Sequence, residues 1–322
     1  MDLSWCDPAA NLSRAEAFVT SNPGADVYVL PEMFTTGFCM EPERIAEPME
    51  GPALQWMRRM ASQADAAIVG SVATIAPEGG YRNRMYFVEP CGRVTHYDKR
   101  HLFSYSGEDK HYEAGEKRVI VEFRGVRFLL QVCYDLRFPV FARNCDDYDV
   151  AIYVANWPDK RRMAWDALLR ARAIENQAVV IGVNRVGTDP MCIYDGGTAA
   201  IDFFGFVAAR CDDHAEQVIT YEVKMDELRH YLAEQKQYIG ELKSDRRHLR
   251  EENDELRTRQ DKLESVVRDL QNKVALNGRM VALMRPLLCG REGCAIRLPA
   301  TIFEDANSAQ QHTIEPIAQS DM

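Results

Sequence analysis

The chain has 322 residues, of which 46% are hydrophobic, and carries a formal net charge of −10. This length accommodates one large domain or two smaller ones with a sizeable core. The negative charge disfavours nucleic acids and anionic membranes as partners, because both repel an acidic protein. No apolar run is long enough to cross a bilayer, and the first twenty residues lack the apolar core of a signal peptide. We therefore expect a cytoplasmic protein that binds neither nucleic acid nor membrane.

Up to about Val223, short apolar runs alternate with helix-like stretches, a pattern typical of α/β or layered α+β domains. The helix-like stretches include Leu54 to Gln63 and Arg161 to Gln177. Met85 to Tyr97 predicts a hairpin around Pro90-Cys91-Gly92. The runs that predict buried strands are Val27 to Leu30, Ala67 to Val72, Met85 to Val88, Phe128 to Val132, Val150 to Val154 and Val179 to Val183.

From Met225 to about Leu283 the chain contains no proline, and leucine recurs at every seventh position. Such a repeat, with a polar Asn in the other core layer, is typical of a two-stranded parallel coiled coil. The predicted d positions are Leu242, Leu249, Leu256, Leu263 and Leu270. The predicted a positions are Ile239, Arg246, Asn253, Gln260, Val267 and Val274.

The residues that flank this seam favour a homodimer. In a parallel pair Asp245 would face Arg250 of the other helix, with opposite charges; Glu252 and Arg257 form a second such pair, and Arg259 and Glu264 a third. A single solvated helix lying on the α/β domain is the alternative. A DNA-binding basic zipper is excluded, because the residues before the leucines include several acids.

These patterns divide the chain into three parts. Residues 1–224 form the α/β domain, residues 225–285 the coiled-coil helix and residues 286–322 a mostly disordered tail. Pro286 is expected to end the helix, because proline removes a backbone donor and clashes with the preceding turn.

Three reactive side chains each follow an apolar run. Glu32 follows the run that ends at Leu30, Lys99 follows the hairpin, and Cys133 follows the run that ends at Val132. Each residue alone has an ordinary explanation, as a surface carboxylate, a solvated charge and a buried core thiol respectively. Side chains at strand ends converge on one crevice in α/β sheets, so the three together predict a site.

The three contexts are LPEMFTTGF, YDKRHLF and VCYDLRFP, in that order. They resemble the carbon-nitrogen hydrolase, or nitrilase, superfamily, whose signature is a Glu, a Lys and a Cys in this order. The residues around these motifs resemble its omega-amidase branch, as do the segments YVANWP, ARAIENQ and IGVNRVG. The resemblance covers about residues 1–222. It implies an α-β-β-α sandwich whose units pair into a dimer, and a reaction that needs no metal or cofactor.

Amide hydrolysis requires a nucleophile, a proton shuttle and a donor for the tetrahedral oxyanion. The Cys133 thiol is the expected nucleophile, with a pKa lowered by the Lys99 ammonium. Glu32 is the expected base, which takes the thiol proton and later returns it to the leaving amine. Lys99 and the backbone N–H after Cys133 are the expected oxyanion donors.

The resemblance also implies roles for residues outside this triad. Glu108 stands where related amidases carry a second active-site carboxylate. Arg137 corresponds to the position that receives a substrate carboxylate, for which a guanidinium is well suited. Phe34, Tyr134 and Trp157 are candidates for the pocket wall.

The chain departs from the family pattern at both ends. Family members usually begin with an apolar strand ahead of the segment that Met1 to Trp5 resembles, so we expect an empty position in one sheet. The coiled-coil helix stands where omega-amidases have a short tail. Cys289 and Cys294, beyond that helix, lack a second ligand pair at zinc spacing, so no metal is expected there.

The leading hypothesis is an omega-amidase that converts a small carboxylated amide, such as 2-oxoglutaramate or 2-oxosuccinamate, to the acid and ammonia. One alternative is another carbon-nitrogen substrate, such as a nitrile, a carbamoyl amine or a deaminated peptide. Another is an inactive scaffold that acts through its coiled coil.

Overall fold

Two β-sheets lie at the centre of the computed structural model, which describes residues 1–288. The helices of this range are α1 (Pro8–Ser21), α2 (Pro42–Ile45), α3 (Pro52–Ala64), α4 (Glu108–His111), α5 (Pro139–Ala142), α6 (Arg162–Asn176) and α7 (Met225–Leu288). The strands are β1 (Val27–Val29), β2 (Glu47–Pro48), β3 (Ala67–Ile75), β4 (Tyr81–Val88), β5 (Val94–Asp98), β6 (Ile120–Phe123), β7 (Val126–Val132), β8 (Val150–Ala155), β9 (Val179–Asn184), β10 (Val186–Thr188), β11 (Ile193–Asp195), β12 (Ala199–Ile201) and β13 (Val207–Arg210).

The first sheet has the order β1-β3-β4-β5, and β2 pairs with the end of β3. Its β1 runs parallel to β3, whereas β3, β4 and β5 are antiparallel. The second sheet has the order β13-β12-β9-β8-β7-β6, and β7, β8 and β9 are parallel. Strands β10 and β11 form a separate antiparallel pair. The predicted strands and the hairpin of β4 and β5 are therefore present.

The two sheets pack face to face through alternate apolar side chains, as the two-residue period of a strand requires. The ring of Phe87 on β4 lies 5.8 Å from that of Phe123 and 5.6 Å from that of Phe128. Helices α1 and α3 cover the outer face of the first sheet, and α6 packs on the second with Trp165 and Leu169 buried. Each such side chain stabilises the fold by about 1.5–3 kcal/mol. The resulting mixed α/β arrangement is an α-β-β-α sandwich, as predicted.

Strand β1 pairs on one side only, because it lies at the edge of the first sheet. Beside it, a cavity of about 610 Å³ separates the sheets. Its walls are largely apolar and include Val27, Val29, Val150, Ile152 and the segment from Val218 to Val223. The cavity adjoins the edge of β1. The empty sheet position expected from the sequence stays a prediction.

The chain divides into two units, residues 1–238 and the residues from 239 onward. In the first unit, the start of α7 buries Leu228 completely. The Arg229 guanidinium donates to the Gly125 carbonyl oxygen at 2.7 Å, and the Lys236 ammonium lies 2.6 Å from an Asp146 oxygen. The first turns of α7 are thus part of the α/β unit, beyond the predicted boundary at residue 224.

In the second unit, α7 continues as one helix to Leu288, three residues beyond the predicted end at residue 285. Pro286 lies within this helix, so the prediction that it ends the helix is wrong. The five leucines of the heptad repeat are 49–66% exposed. No helix among residues 1–288 combines the length and hydropathy needed to cross a bilayer. The predicted tail, with Cys289 and Cys294, lies outside the described residues.

Candidate active site

The parallel strands β7 and β8 end at the same edge of the second sheet, where Cys133 and Asn156 directly follow them. Glu32 follows β1 and Lys99 follows β5, so both belong to the first sheet. The side chains of Glu32 and Lys99 are fully buried. The polar groups of both sheets therefore converge at one point between the layers, as the strand-end argument predicts.

Glu32 is held by four polar contacts. Its Oε1 accepts from the Lys99 ammonium at 2.9 Å and from the Asn83 amide at 2.8 Å. Its Oε2 accepts from the Asn156 backbone N–H at 2.8 Å, and the Asn156 amide donates to the Glu32 carbonyl oxygen at 2.6 Å. Both carboxylate oxygens therefore accept from donors, which fixes the orientation of the Glu32 side chain.

Glu108, at the start of α4, is a second buried carboxylate beside Lys99. The Lys99 ammonium lies 3.0 Å from its Oε1 and 2.8 Å from its Oε2. The Asn83 amide donates to Oε1 at 3.1 Å, and the Phe103 N–H donates to Oε2 at 2.6 Å. Lys99 and Asn83 thus bridge the two carboxylates and hold them at a fixed separation.

The charges at this site do not balance, since two carboxylates surround one ammonium. Burial acts to lower the pKa of Lys99, but the charges of Glu108 and Glu32 outweigh it and raise that pKa. Burial also raises the pKa of Glu108, and the neighbouring Lys99 offsets only part of that rise. Lys99 is therefore firmly protonated and serves as a cationic donor rather than as a base.

Cys133 lies at the tight turn that follows β7. Its backbone φ is 47°, a conformation that is costly for a residue with a side chain. Its Sγ lies 4.0 Å from the Asn156 carbonyl oxygen, and only 9% of the residue is exposed. The turn directs the thiol to the edge where Asn156 also binds Glu32.

The pKa of the Cys133 thiol is raised well above its usual value, contrary to our expectation of a lowered one. Burial is the main cause and the negative charge of Glu32 the second, and the opposing effect of Lys99 is smaller. The ammonium is already neutralised by two carboxylates. The thiol is thus protonated at rest, and the nucleophile forms only when a base removes its proton.

Glu32→Gln is therefore expected to lower the pKa of Cys133, because the substitution removes the second cause of its elevation. The pH at which iodoacetamide labels Cys133 at half its maximal rate should fall, as measured by mass spectrometry of the peptide that contains it. Glu122→Gln, at an exposed position on β6, serves as a control and should leave that pH unchanged. An unchanged or higher pH for Glu32→Gln would contradict the assigned cause.

Asp135 joins the two loops that carry Lys99 and Cys133. Its Oδ2 accepts from the Val132 N–H at 2.9 Å, and its Oδ1 accepts from the His101 N–H at 2.9 Å. Its side chain is completely buried. Asp135 lies within the VCYDLRFP motif, but no role was predicted for it.

Asn83 and Asn156 were also not predicted. Asn83 is a buried amide in the middle of β4, and a polar residue facing a sheet interior is the signal that could have revealed it. Asn156 lies in the segment YVANWP, directly after a buried strand. Phe38, in LPEMFTTGF, is a further neighbour, with its ring centroid 5.1 Å from the Lys99 ammonium.

The proposed substrate-binding residues are only partly brought together. Arg137 is exposed, and its guanidinium carbon lies 5.0 Å from the ring centroid of Trp157. Tyr134 follows Cys133 and packs edge-on against Phe103 at 5.0 Å.

The structure does not bring Phe34 to this site. Its fully buried ring packs against Trp56 of α3 at 5.8 Å, in the core on the outer face of the first sheet. The turn after Glu32 sends the two side chains to opposite faces of the sheet. The prediction for Phe34 is corrected accordingly.

No group of three or more His, Cys, Asp or Glu side chains within residues 1–288 is arranged to hold a metal ion. The polar groups at the site are a thiol, two carboxylates, an ammonium and two amides. Such a set can generate a nucleophile by proton transfer and stabilise an oxyanion.

Comparison with known proteins agrees with this chemistry. The model of the carbon-nitrogen hydrolase family matches residues 1–232. Omega-amidase YafV of Escherichia coli K12 is 50% identical over 230 residues, which cover 71% of this chain and 89% of that protein. A 2-oxoglutaramate amidase of Bacillus subtilis is 32% identical over 231 residues, and the match covers 70% of this chain and 89% of that protein.

The fold is also similar to a solved structure. XC1258 from Xanthomonas campestris, described as a CN-hydrolase superfamily protein with an arsenic adduct in its active site, superposes with a TM-score of 0.70. It is 42% identical, and the match covers 72% of this chain and 91% of XC1258. The chain belongs to the carbon-nitrogen hydrolase family.

Proposed function

We propose that the chain is an omega-amidase that hydrolyses the terminal amide of a 2-oxo dicarboxylic acid monoamide, such as 2-oxoglutaramate or 2-oxosuccinamate. The observation that carries the proposal is the Lys99 ammonium bound between Glu32 and Glu108, at the sheet edge that Cys133 shares. The names of the two curated relatives supply the substrate class. An amide substrate follows from the family itself.

In the first half of the reaction, Glu32 removes the thiol proton of Cys133 as the sulfur attacks the amide carbon. The resulting oxyanion is stabilised by the Lys99 ammonium and by the Tyr134 N–H, which lies in the first turn of a short helix and has no acceptor within it. The protonated Glu32 then gives its proton to the amide nitrogen, and ammonia departs. Cys133 is left as a thioester.

In the second half, Glu32 removes a proton from water, which attacks the thioester carbon. The same two donors stabilise the second oxyanion. When the tetrahedral intermediate collapses, the carboxylic acid leaves and the Cys133 sulfur regains a proton from Glu32. Glu108 acts throughout by holding the Lys99 ammonium in place.

Hydrolysis by the purified chain tests the proposal, measured as ammonia release for the amides, the nitrile and the carbamoyl amine and as release of the amine fragment for the deaminated peptide. We expect 2-oxoglutaramate and 2-oxosuccinamate to have kcat/KM values at least about tenfold above those of a nitrile, a carbamoyl amine and a deaminated peptide. Preference for one of those three would establish a different substrate. Absence of turnover on all of them would favour the inactive scaffold.

We further propose that α7 forms a parallel, in-register coiled coil with a second copy of the chain. The exposure of the five heptad leucines supports this proposal, because a stripe of leucines on a solvent-facing helix is otherwise unfavourable. Opposite charges at the flanking positions specify the parallel orientation.

Leu256→Cys is expected to form an interchain disulfide under mild oxidation, because identical d positions adjoin each other in a parallel pair. Thr258→Cys is the matched control, since it lies on the outer face of the same helical turn. Dimer on a non-reducing gel, above the wild-type background, measures the result. Equal cross-linking of both variants, or of neither, would contradict the in-register pair.

A further inference from the structure

Arg137 and Arg161 lie next to the active site, and within the described residues neither has an acidic partner. Their guanidinium carbons lie 5.0 Å from the ring centroid of Trp157 and 4.8 Å from that of Phe103, respectively. Among residues 1–288, no carboxylate lies within 4.0 Å of either guanidinium. The adjacent Arg162, by contrast, forms ion pairs with three aspartates. Arg137 and Arg161 therefore keep hydrogen-bond donors available for an anion.

The surroundings of Arg161 connect it to the catalytic groups. The Trp157 indole N–H donates to the Arg161 carbonyl oxygen at 2.7 Å, and Trp157 directly follows Asn156, which binds Glu32. On its other side, Arg161 stacks on Phe103, whose N–H donates to Glu108. Arg161 is thus fixed by two residues that border the buried carboxylates.

The charge distribution sets the orientation of a substrate. The buried part of the site carries two carboxylates and one ammonium, so it repels a second anion and admits a neutral amide. The guanidiniums of Arg137 and Arg161 lie on the aromatic residues around it. A substrate with an amide at one end and a carboxylate at the other therefore enters with its amide toward Cys133.

We propose that Arg161 is a specificity-determining residue that binds the 2-oxo carboxylate end of the substrate together with Arg137. This inference rests on the proposed omega-amidase function. A 2-oxo acid presents carboxylate and ketone oxygens side by side, more acceptors than one guanidinium satisfies in a single bidentate contact. Stacking on Phe103 orients the Arg161 fork before the substrate arrives and so reduces the entropy lost on binding.

Arg161→Met tests this role, with 2-oxoglutaramate and the neutral amide pentanamide as substrates. We expect the KM for 2-oxoglutaramate to rise about 10- to 100-fold, the loss typical of a charge-assisted contact, with kcat within about threefold. The kcat/KM for pentanamide should stay unchanged, since it has no carboxylate. Arg161→Lys, which keeps the charge but loses the fork, should give an intermediate KM.

Lys160→Met is the matched control, because it removes one positive charge from the neighbouring exposed residue. Its KM for 2-oxoglutaramate should equal that of the wild type. This result would separate a specific contact of Arg161 from a general attraction of the substrate by positive charge. A thermal melt checks that each variant is folded. An unchanged KM in Arg161→Met would overturn the role of Arg161 and leave the amidase proposal standing. Failure of the wild type on every carboxylated amide would instead overturn the proposed function and this inference with it.

Discussion

Cys133→Ala is expected to reduce the rate of ammonia release by at least about 10⁴-fold, because the thioester route requires the sulfur. The remaining groups can still bind the amide and polarise its carbonyl, but water must then attack directly. Alanine removes only the sulfur atom from a buried side chain, so the melting temperature should change by a few degrees at most. Steady-state ammonia release from 2-oxoglutaramate measures the effect.

Cys211→Ala is the matched control for this substitution. Cys211 is also buried, but its Sγ lies against the Gln217 carbonyl oxygen and away from the catalytic groups. Its activity should stay within about twofold of the wild type. Activity of Cys133→Ala above about 1% of the wild-type value would show that another group performs the nucleophilic step.

Lys99→Met is expected to impair both activity and stability. Loss of an oxyanion donor lowers kcat by about 10²- to 10³-fold. The substitution also leaves Glu32 and Glu108 buried without their shared cation, and removal of one partner from a buried ion pair costs about 3–5 kcal/mol. For a domain of this size the melting temperature should fall by roughly 10 °C. Steady-state kinetics and thermal unfolding measure the two effects.

A second substitution separates these two consequences. Lys99→Met combined with Glu108→Gln removes one of the stranded charges, so part of the lost stability should return. Activity should not return, because the oxyanion donor is still missing. Recovery of both properties would mean that Lys99 acts only on the fold, and recovery of neither would mean that Glu108 has no electrostatic coupling to Lys99.

The sequence was sufficient to predict the strands that end at Leu30, Val132 and Val154, because continuous apolar runs bounded by polar residues are a strong signal of buried strands. It was also sufficient to predict that the side chains of Glu32, Lys99 and Cys133 meet at one edge of the sheets. Their positions after strands made the convergence a geometric expectation. The catalytic roles of these three residues stay proposals until the variants are measured.

The electrostatic state of Cys133 could not be obtained from sequence spacing. The expectation of a lowered pKa considered Lys99 alone, whereas the structure surrounds that ammonium with two carboxylates and removes the thiol from water. The bridging role of Asn83 depends in the same way on contacts across long chain separations. Such contacts are set by the packing of two sheets, and no local pattern encodes them.

Phe34 and Pro286 illustrate two other limits. Phe34 is a candidate for the pocket wall from the sequence, but the turn after Glu32 directs its ring to the outer core. Pro286 is expected to end α7, but the helix includes it, and the sequence locates helix ends only to within a residue or two. Local signals located both elements, and tertiary context decided their details.

The most direct measurement of the central claim is the parallel loss of activity and modification of Cys133 by iodoacetamide at neutral pH. We predict that ammonia release falls in proportion to the fraction of Cys133 alkylated, and that 2-oxoglutarate, the product, slows both. A chain that retains its activity with Cys133 fully alkylated would contradict the claim. So would an inactive chain in which Cys133 stays unreactive while other thiols are labelled.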